Sequence, residues 1–220
     1  MSTEHRLAIV TDLDDTVTPR EGYTRIGGAI KGRLRPHHLP DLSIRDITKL
    51  ELYHFRVNTP VKKWKEKISL AFHARRQVDP RVREEFEACI ENEEDIYVAT
   101  GRSNKSTWVD VTERTLQQGG IRDLIKEVYY TPKGARTAVS KAHVLYIVTQ
   151  SYDQVRFDED DPWTIQFIAP LFPDVQINYI WHRATALSLP KGMMDQYPNV
   201  REVRSRGRRE GMRTPYLTRL

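Results

Sequence analysis

An apolar run, Leu7-Ala8-Ile9-Val10, opens the ordered pattern of the chain and stops abruptly at Thr11-Asp12-Leu13-Asp14-Asp15-Thr16. Consecutive apolar residues bounded by polar turn formers read as a strand buried on both faces. It is placed at Leu7 to Asp12. From residue 96 the alternation becomes regular. Ile96 to Thr100 reads as a strand, and Ser103 to Gln118 as a helix ended by Gly119-Gly120. Glu127 to Thr131 is a strand and Thr137 to Val148 a helix. Gln154 to Phe157 is a strand, Trp163 to Phe172 a helix, and Val175 to Trp181 a last strand. Strands alternating with helices of about ten to sixteen residues predict an α/β fold built on a doubly wound parallel sheet.

The stretch between the first two strands, residues 17–94, breaks this rhythm. Pro19 to Pro40 is rich in Gly, Arg and Pro, and Gly27-Gly28 between short apolar flanks fits a hairpin flap. From Leu42 to Phe55 the pattern is ambiguous: Ser43 suits a helix cap, whereas Leu52-Tyr53-His54-Phe55 reads as extended. Pro60 followed by Val61, Trp64, Ile68 and Phe72, spaced by three and four, predicts an amphipathic helix. Its other face carries Lys62, Lys63, Lys65, Lys67, Arg75 and Arg76. That basic face either lines a site entrance and attracts an anionic substrate, or is an ordinary solvated charged surface. A second helix, Pro80 to Ile90, packs Val82, Phe86, Cys89 and Ile90. The resulting division is a core of residues 1–18 and 95–185, a small, mainly helical insertion at 19–94, and a tail at 186–220. No internal repeat is visible.

At 220 residues the chain suits one full-sized α/β domain with an insertion. It has no apolar stretch of the length that spans a bilayer. Met1 to Arg6 leads straight into the first strand and does not read as a signal peptide. The single Cys89 is too isolated for a disulfide framework or a zinc site. These features predict a cytoplasmic protein. The formal net charge of +5 is local: residues 199–220 hold seven arginines (201, 204, 206, 208, 209, 213, 219) and two glutamates, so the rest balances to zero. Such a tail is either a solvated terminus or an arm that grips the phosphates of a nucleic acid, RNA or DNA, or of an anionic membrane.

Candidate chemistry gathers at the strand ends, where open α/β sheets bind ligands. Asp12 and Asp14 lie two apart, with Leu13 between them turned to the core. Paired carboxylates repel unless a cation offsets them. An ionised Asp attacks phosphorus to give an aspartyl-phosphate, and a second acid serves the leaving oxygen and then water. Thr100-Gly101-Arg102-Ser103 offers a hydroxyl at a strand end, a close backbone turn and a helix start, which together seat a phosphate. A lysine would balance the charge of phosphate and nucleophile. Asp158-Glu159-Asp160-Asp161 sets four acids in a row at another strand end.

These residues resemble the haloacid dehalogenase (HAD) superfamily, whose first motif is an apolar strand followed by Asp-x-Asp-x-Thr or Val. Asp12, Leu13, Asp14, Asp15 and Thr16 match it position by position. The resemblance implies that Asp12 is nucleophile and metal ligand, and that Asp14 is general acid/base and gives its backbone carbonyl to the metal. It implies that Thr100, ending the second motif, holds a phosphoryl oxygen. Gly101 and Arg102 follow in the substrate seat, with Arg102 either touching substrate or bridging at the rim. The third motif is a lysine near a helix start, which Lys141 fits best and for which Lys133 competes. The fourth is an acidic turn binding Mg²⁺, with Asp160 as ligand and Asp161 or Asp158 in support. A HAD-like, Rossmannoid core with a cap after its first strand follows. So does a Mg²⁺-dependent hydrolase of a small phosphorylated substrate, with a phosphotransferase or mutase as the alternative. An end-processing phosphatase or binder using the arginine tail is a further one. Both acids of the first motif are present, which favours phosphatase over dehalogenase.

Overall fold

A computed structural model describes residues 6–14, 16–18, 43–44, 63–133, 135–181 and 196–204. The Gly27-Gly28 flap and most of Leu42 to Phe55 lie outside the described residues. Six parallel strands form one sheet in the order β3-β2-β1-β4-β5-β6. They are β1 (Leu7–Thr11), β2 (Asp95–Ser103), β3 (Glu127–Thr131), β4 (Gln154–Glu159), β5 (Gln176–Trp181) and β6 (Val200–Arg204). The helices are α1 (Lys63–His73), α2 (Pro80–Glu91), α3 (Ser106–Gln118), α4 (Thr137–Thr149) and α5 (Pro162–Ile168). The order changes direction at β1, flanked by β2 and β4, and this is the switch point where such sheets place ligands.

Side-chain parity divides the core into two layers. Ala8 and Val10 of β1, Tyr97 and Ala99 of β2, and Val155 and Phe157 of β4 pack with α4 and α5. Ile9, Ile96 and Val98 face the other way, against Val82, Phe86 and Cys89 of α2 and Leu116 of α3. Helix α2 therefore belongs to the sheet's own covering layer. Just before it, Asp79 N donates to Val17 O at 3.1 Å, which joins the start of this helix to the segment that follows β1. Asp79 then caps α2 by accepting from Arg81 N, with Pro80 in the first turn. Gly119 permits this junction, because a Cβ there would stand 2.3 Å from Val78 Cγ2.

Several elements differ from the sequence pattern. Strand β2 runs on to Ser103, which pairs with Thr131, and α3 starts later, at Ser106. The pairing shifts between Thr100 and Ser103, and such a bulge re-aims the side chains within it. Helix α5 stops at Ile168, just ahead of Pro170, which lacks the N–H to extend the ladder. A sixth strand lies inside the stretch read as a basic tail: Val200 to Arg204 pairs with Ile177 to Trp181. Its two apolar residues, Val200 and Val203, pack on opposite sides of the sheet, so the strand carries no period-two pattern to read in the sequence. The arginines beyond Arg204 lie outside the described residues.

On the α2 side of the sheet, Arg156 stands 3.5 Å from both Glu85 Oε1 and Asp158 Oδ1, while Asn178 donates to Asp158 at 2.8 Å. One guanidinium cannot neutralise two buried acids. Burial, with the Asp158 charge added, pushes the Glu85 carboxyl up to about 9 against the pull of Arg156. A folded-state value above the unfolded one contributes stability that is complete below the ordinary glutamate range and is lost as pH rises towards 9. Thermal unfolding from pH 5 to 9 is therefore expected to show the native protein losing stability across that window. Glu85→Gln, neutral throughout, would be flatter and the more stable of the two at pH 9, by on the order of a few kcal/mol. Parallel curves for the two proteins would refute a proton held at Glu85.

Candidate active site

Strand register brings distant acids together. Thr11 is opposite Asp158, and Asp12 N donates to Asp158 O at 2.8 Å, carrying the β1–β4 ladder one step past the strand. Asp12 and Glu159 are thus neighbours, and by parity both follow Val10 and Phe157 onto the α4 side. There Lys141 rises from the first turns of a helix whose buried residues are otherwise mostly apolar. Its Nζ lies 2.7 Å from Asp12 Oδ1 and 2.5 Å from Glu159 Oε2. All three side chains are buried. The close approach of this helix start to β2 uses Gly101, whose Cβ would meet Thr137 Cγ2 at 3.0 Å.

Asp12, Glu159 and Asp160 each present one carboxylate oxygen, and these atoms lie within 4.8 Å of one another. Three hard oxygen donors grouped this closely suit a small divalent cation, which would favour their ionised forms. Burial pushes the Asp12 carboxyl above its ordinary range, and the Asp14 charge adds to this, although Lys141 opposes both. Burial likewise pushes Glu159 up to about 8 against the Lys141 attraction. Lys141 itself loses by burial but gains more from Asp12 and Glu159, so its ammonium is held well above the ordinary lysine value. The residues present fit a metal such as Mg²⁺ at Asp12, Glu159 and Asp160.

Asp14 has the opposite surroundings. Its Oδ1 accepts from Arg102 Nη2 at 2.7 Å, Arg76 Nη1 at 2.8 Å and His73 Nδ1 at 3.2 Å, and its Oδ2 from Arg102 Nε at 3.1 Å. A carboxylate only accepts, so the His73 Nδ1 carries the proton. Burial works against the charge on Asp14, yet the Arg102 guanidinium, the His73 bond and Arg76 hold the carboxyl well below the ordinary range.

The other residues singled out in the sequence have positions and partners of their own. Thr100 is buried, and its Oγ1 accepts from Arg102 N at 3.2 Å. Arg102 is neither at the rim nor free for substrate: turned inward by the bulge, it forks onto Asp14 and donates to Thr112 Oγ1 at 3.0 Å. Lys133 is exposed beside Asn104. Asp161 is occupied as the cap of α5, accepting from Trp163 N at 3.3 Å and Thr164 Oγ1 at 2.7 Å. Asp158 faces Arg156 and Asn178 on the opposite side of the sheet. Glu159 was not among the expected ligands, although its parity with Val155 and Phe157 points it at α4. His73 and Arg76 belong to the basic segment whose role was left open; periodicity alone does not reveal that its C-terminal end turns in to Asp14.

No protein-family model and no curated protein matches the sequence. Solved structures do match the fold. An L-2-haloacid dehalogenase is 13% identical with a TM-score of 0.53, over 90% of this chain and 94% of its own. A second dehalogenase is 10% identical with a TM-score of 0.53, over 94% and 95%. A Thermotoga maritima protein assigned as a beta-phosphoglucomutase is 15% identical with a TM-score of 0.54, over 90% and 94%. Taken with the strand order and the position of Asp12 at the end of β1, these likenesses give the chain the fold of the haloacid dehalogenase superfamily.

Proposed function

We propose that the protein is a Mg²⁺-dependent phosphohydrolase that cleaves a phosphomonoester through an aspartyl-phosphate on Asp12. The observation that carries this reading is the buried constellation at the strand ends, in which Asp12 lies 2.7 Å from Lys141 Nζ and shares a set of ligand atoms with Glu159 and Asp160. Mg²⁺ held by Asp12, Glu159 and Asp160 would neutralise excess charge at the reacting phosphoryl group.

Asp12 attacks the phosphorus in line, a new P–O bond forming to its carboxylate as the ester P–O bond breaks. Lys141 offsets negative charge on the nucleophile and on the transferring oxygens. Thr100 and the Gly101 backbone seat the equatorial oxygens. Asp14 stands two residues on and, being ionised, can take a proton from the water that hydrolyses the intermediate, although Arg102 and Arg76 weaken it as a base. The proton it delivers to the departing alkoxide has to be held against the pull of Arg102 and Arg76. Aryl phosphates, whose leaving oxygen needs that proton least, are accordingly the substrates on which activity is most readily seen.

The likeness to dehalogenases and to a mutase-like protein supplies the two alternatives to be tested beside hydrolysis. In one, Asp12 displaces halide from carbon. In the other, a second hydroxyl takes the phosphoryl group in place of water.

Phosphate release from an aryl phosphate in Mg²⁺ is expected, and Asp12→Asn should lower it by at least 1000-fold, about 4 kcal/mol in the barrier, with the fold retained by circular dichroism. Activity that survives this substitution removes Asp12 as nucleophile. Halide release from an L-2-haloacid, with no phosphate release from any ester, would instead give the site to dehalogenation. Transfer to an added alcohol would give it to phosphotransfer.

Metal binding has its own expected pH dependence. Glu159 holds a proton up to about pH 8, and a carboxylate ligand must lose its proton to bind. Mn²⁺ affinity measured by calorimetry should therefore rise several-fold between pH 6.5 and 8.5, and Asp160→Asn should weaken it about tenfold. Affinity independent of both pH and Asp160 would argue against this ligand set.

A further inference from the structure

The fork that Arg102 places on Asp14 is only as fixed as the guanidinium itself. Arg102 comes from a strand bulge, and its side chain is 2% exposed. Nε and Nη2 are engaged on Asp14, at 3.1 Å to Oδ2 and 2.7 Å to Oδ1. Nη1 then needs an acceptor of its own, since a buried cationic donor without one is costly. Thr112 supplies it at 3.0 Å, from the middle of α3. A threonine inside a helix commonly turns its hydroxyl to the carbonyl four residues back, as Thr115 does on Val111 O at 2.8 Å. Thr112 is turned to Arg102 instead, and a hydrogen bond joins its hydroxyl to the phenol of Tyr130 on β3.

From Tyr130 the hydrogen bonds continue outward in one direction. Tyr130 OH donates to Glu113 Oε1 at 3.0 Å, and Glu113 Oε2 accepts from Arg122 Nε at 2.5 Å. Burial and the Glu113 charge hold the Tyr130 proton well above the ordinary tyrosine range, so the phenol stays a donor. Thr112 and Tyr130 therefore each accept on one side and donate on the other, and the run ends on a carboxylate at both ends, Asp14 and Glu113. Hydrogen bonds linked in this way reinforce one another. The far end is itself held, because Arg122 Nη1 donates to Ile125 O at 3.1 Å. Thr131, next to Tyr130, donates to Thr100 O at 2.9 Å, which straps β3 to the strand that carries Arg102.

We propose that Thr112 and Tyr130 are positioning residues for Asp14: through Arg102 they fix the plane and direction of the carboxyl group that serves the leaving oxygen. Both act through Arg102 and not on the reacting atoms. The inference rests on the phosphomonoester reading and deepens it, since a hydroxyl of α3 and a phenol of β3 then set the geometry of proton transfer at the end of β1. Small displacements of a group that transfers a proton are expensive in rate. They matter most for a leaving oxygen that departs badly without its proton.

The test compares two leaving groups. Thr112→Val, which keeps the shape and drops the hydroxyl, and Tyr130→Phe are assayed as full chains in Mg²⁺ on an aryl phosphate and on a simple alkyl phosphate. In this reaction kcat/KM covers the steps up to departure of the alcohol. It is expected to fall about tenfold on the alkyl ester and less than about twofold on the aryl ester. Thr112→Ser returns the hydroxyl and should restore the original ratio. Tyr129→Phe, which removes a phenol from the opposite face of the same strand, should leave that ratio unchanged. The Nε–H resonance of Arg102 in isotope-labelled protein, identified by its loss in Arg102→Lys, reads the fork without turnover. It should be sharp in the original protein and in Thr112→Ser, and broadened in Thr112→Val and Tyr130→Phe. If Thr112→Val does not fold, Tyr130→Phe, at a half-buried position, supplies both readouts. A ratio that stays the same or rises in the folded variants overturns the positioning role and leaves hydrolysis standing. Broadening of the Arg102 signal in a protein that releases phosphate from neither ester keeps the two residues as the support of Asp14 and removes the hydrolase reading.

Discussion

A single buried ammonium holds together the carboxyl ends of the two central strands of this sheet. Lys141 is carried by a helix whose packed surface is otherwise almost entirely apolar, and it reaches the ends of β1 and β4 at once, through Asp12 and Glu159. A lysine in that position is tolerated only because the carboxylates meet it, and the carboxylates only because of the lysine. The contact requires α4 to begin very near the end of β2, which Gly101 allows by presenting no Cβ to Thr137. The strand order places β1 between β2 and β4, so the motifs that end these three strands converge without any long loop.

The alternation of side chains along β4 decides which acids join this group. Glu159 points to α4 with Val155 and Phe157. Asp158 and Arg156 point to α2 and meet Glu85 and Asn178. Adjacent acids in the chain therefore serve separate ends: one set faces a lysine and offers a metal site, the other shares an arginine and a proton inside the opposite layer. Asp161, beyond the strand, spends its oxygens on the first turn of α5. Four carboxylates in a row remain compatible because the backbone distributes them among different partners.

Most of the architecture was legible in the sequence because parallel strands buried on both faces leave apolar runs, and the helices between them leave a period of 3.6. Glu127 to Thr131 coincides with the observed strand. The edge strand at Val200 was not legible, since one polar-facing strand of five residues amid arginines has a weak pattern. Of the site, Asp12, Asp14 and Thr100 announce themselves by ending apolar runs, and Lys141 by lying early in a helix. Arg102 was ambiguous because its direction is set by a bulge in pairing with β3, a feature of two strands that no single segment records. The assembly of His73 and Arg76 on Asp14 was beyond local reading for the same reason. It depends on contacts between segments far apart in the chain, among them the bond between Asp79 and Val17.

Asp12 and Asp14 are chemically identical and two residues apart, yet their surroundings push them in opposite directions. The difference lies in how the cations are shared. Lys141 divides its charge between Asp12 and Glu159, so burial prevails and Asp12 holds its proton more firmly than an ordinary aspartate. Asp14 has Arg102 to itself in a two-point fork, with Arg76 and His73 added, and it loses its proton more readily. Opposed environments of this kind assign separate roles to like groups. A divalent metal ion held by Asp12, Glu159 and Asp160 would add positive charge to the half where one ammonium is shared, and so favour the ionised form of Asp12 that can attack.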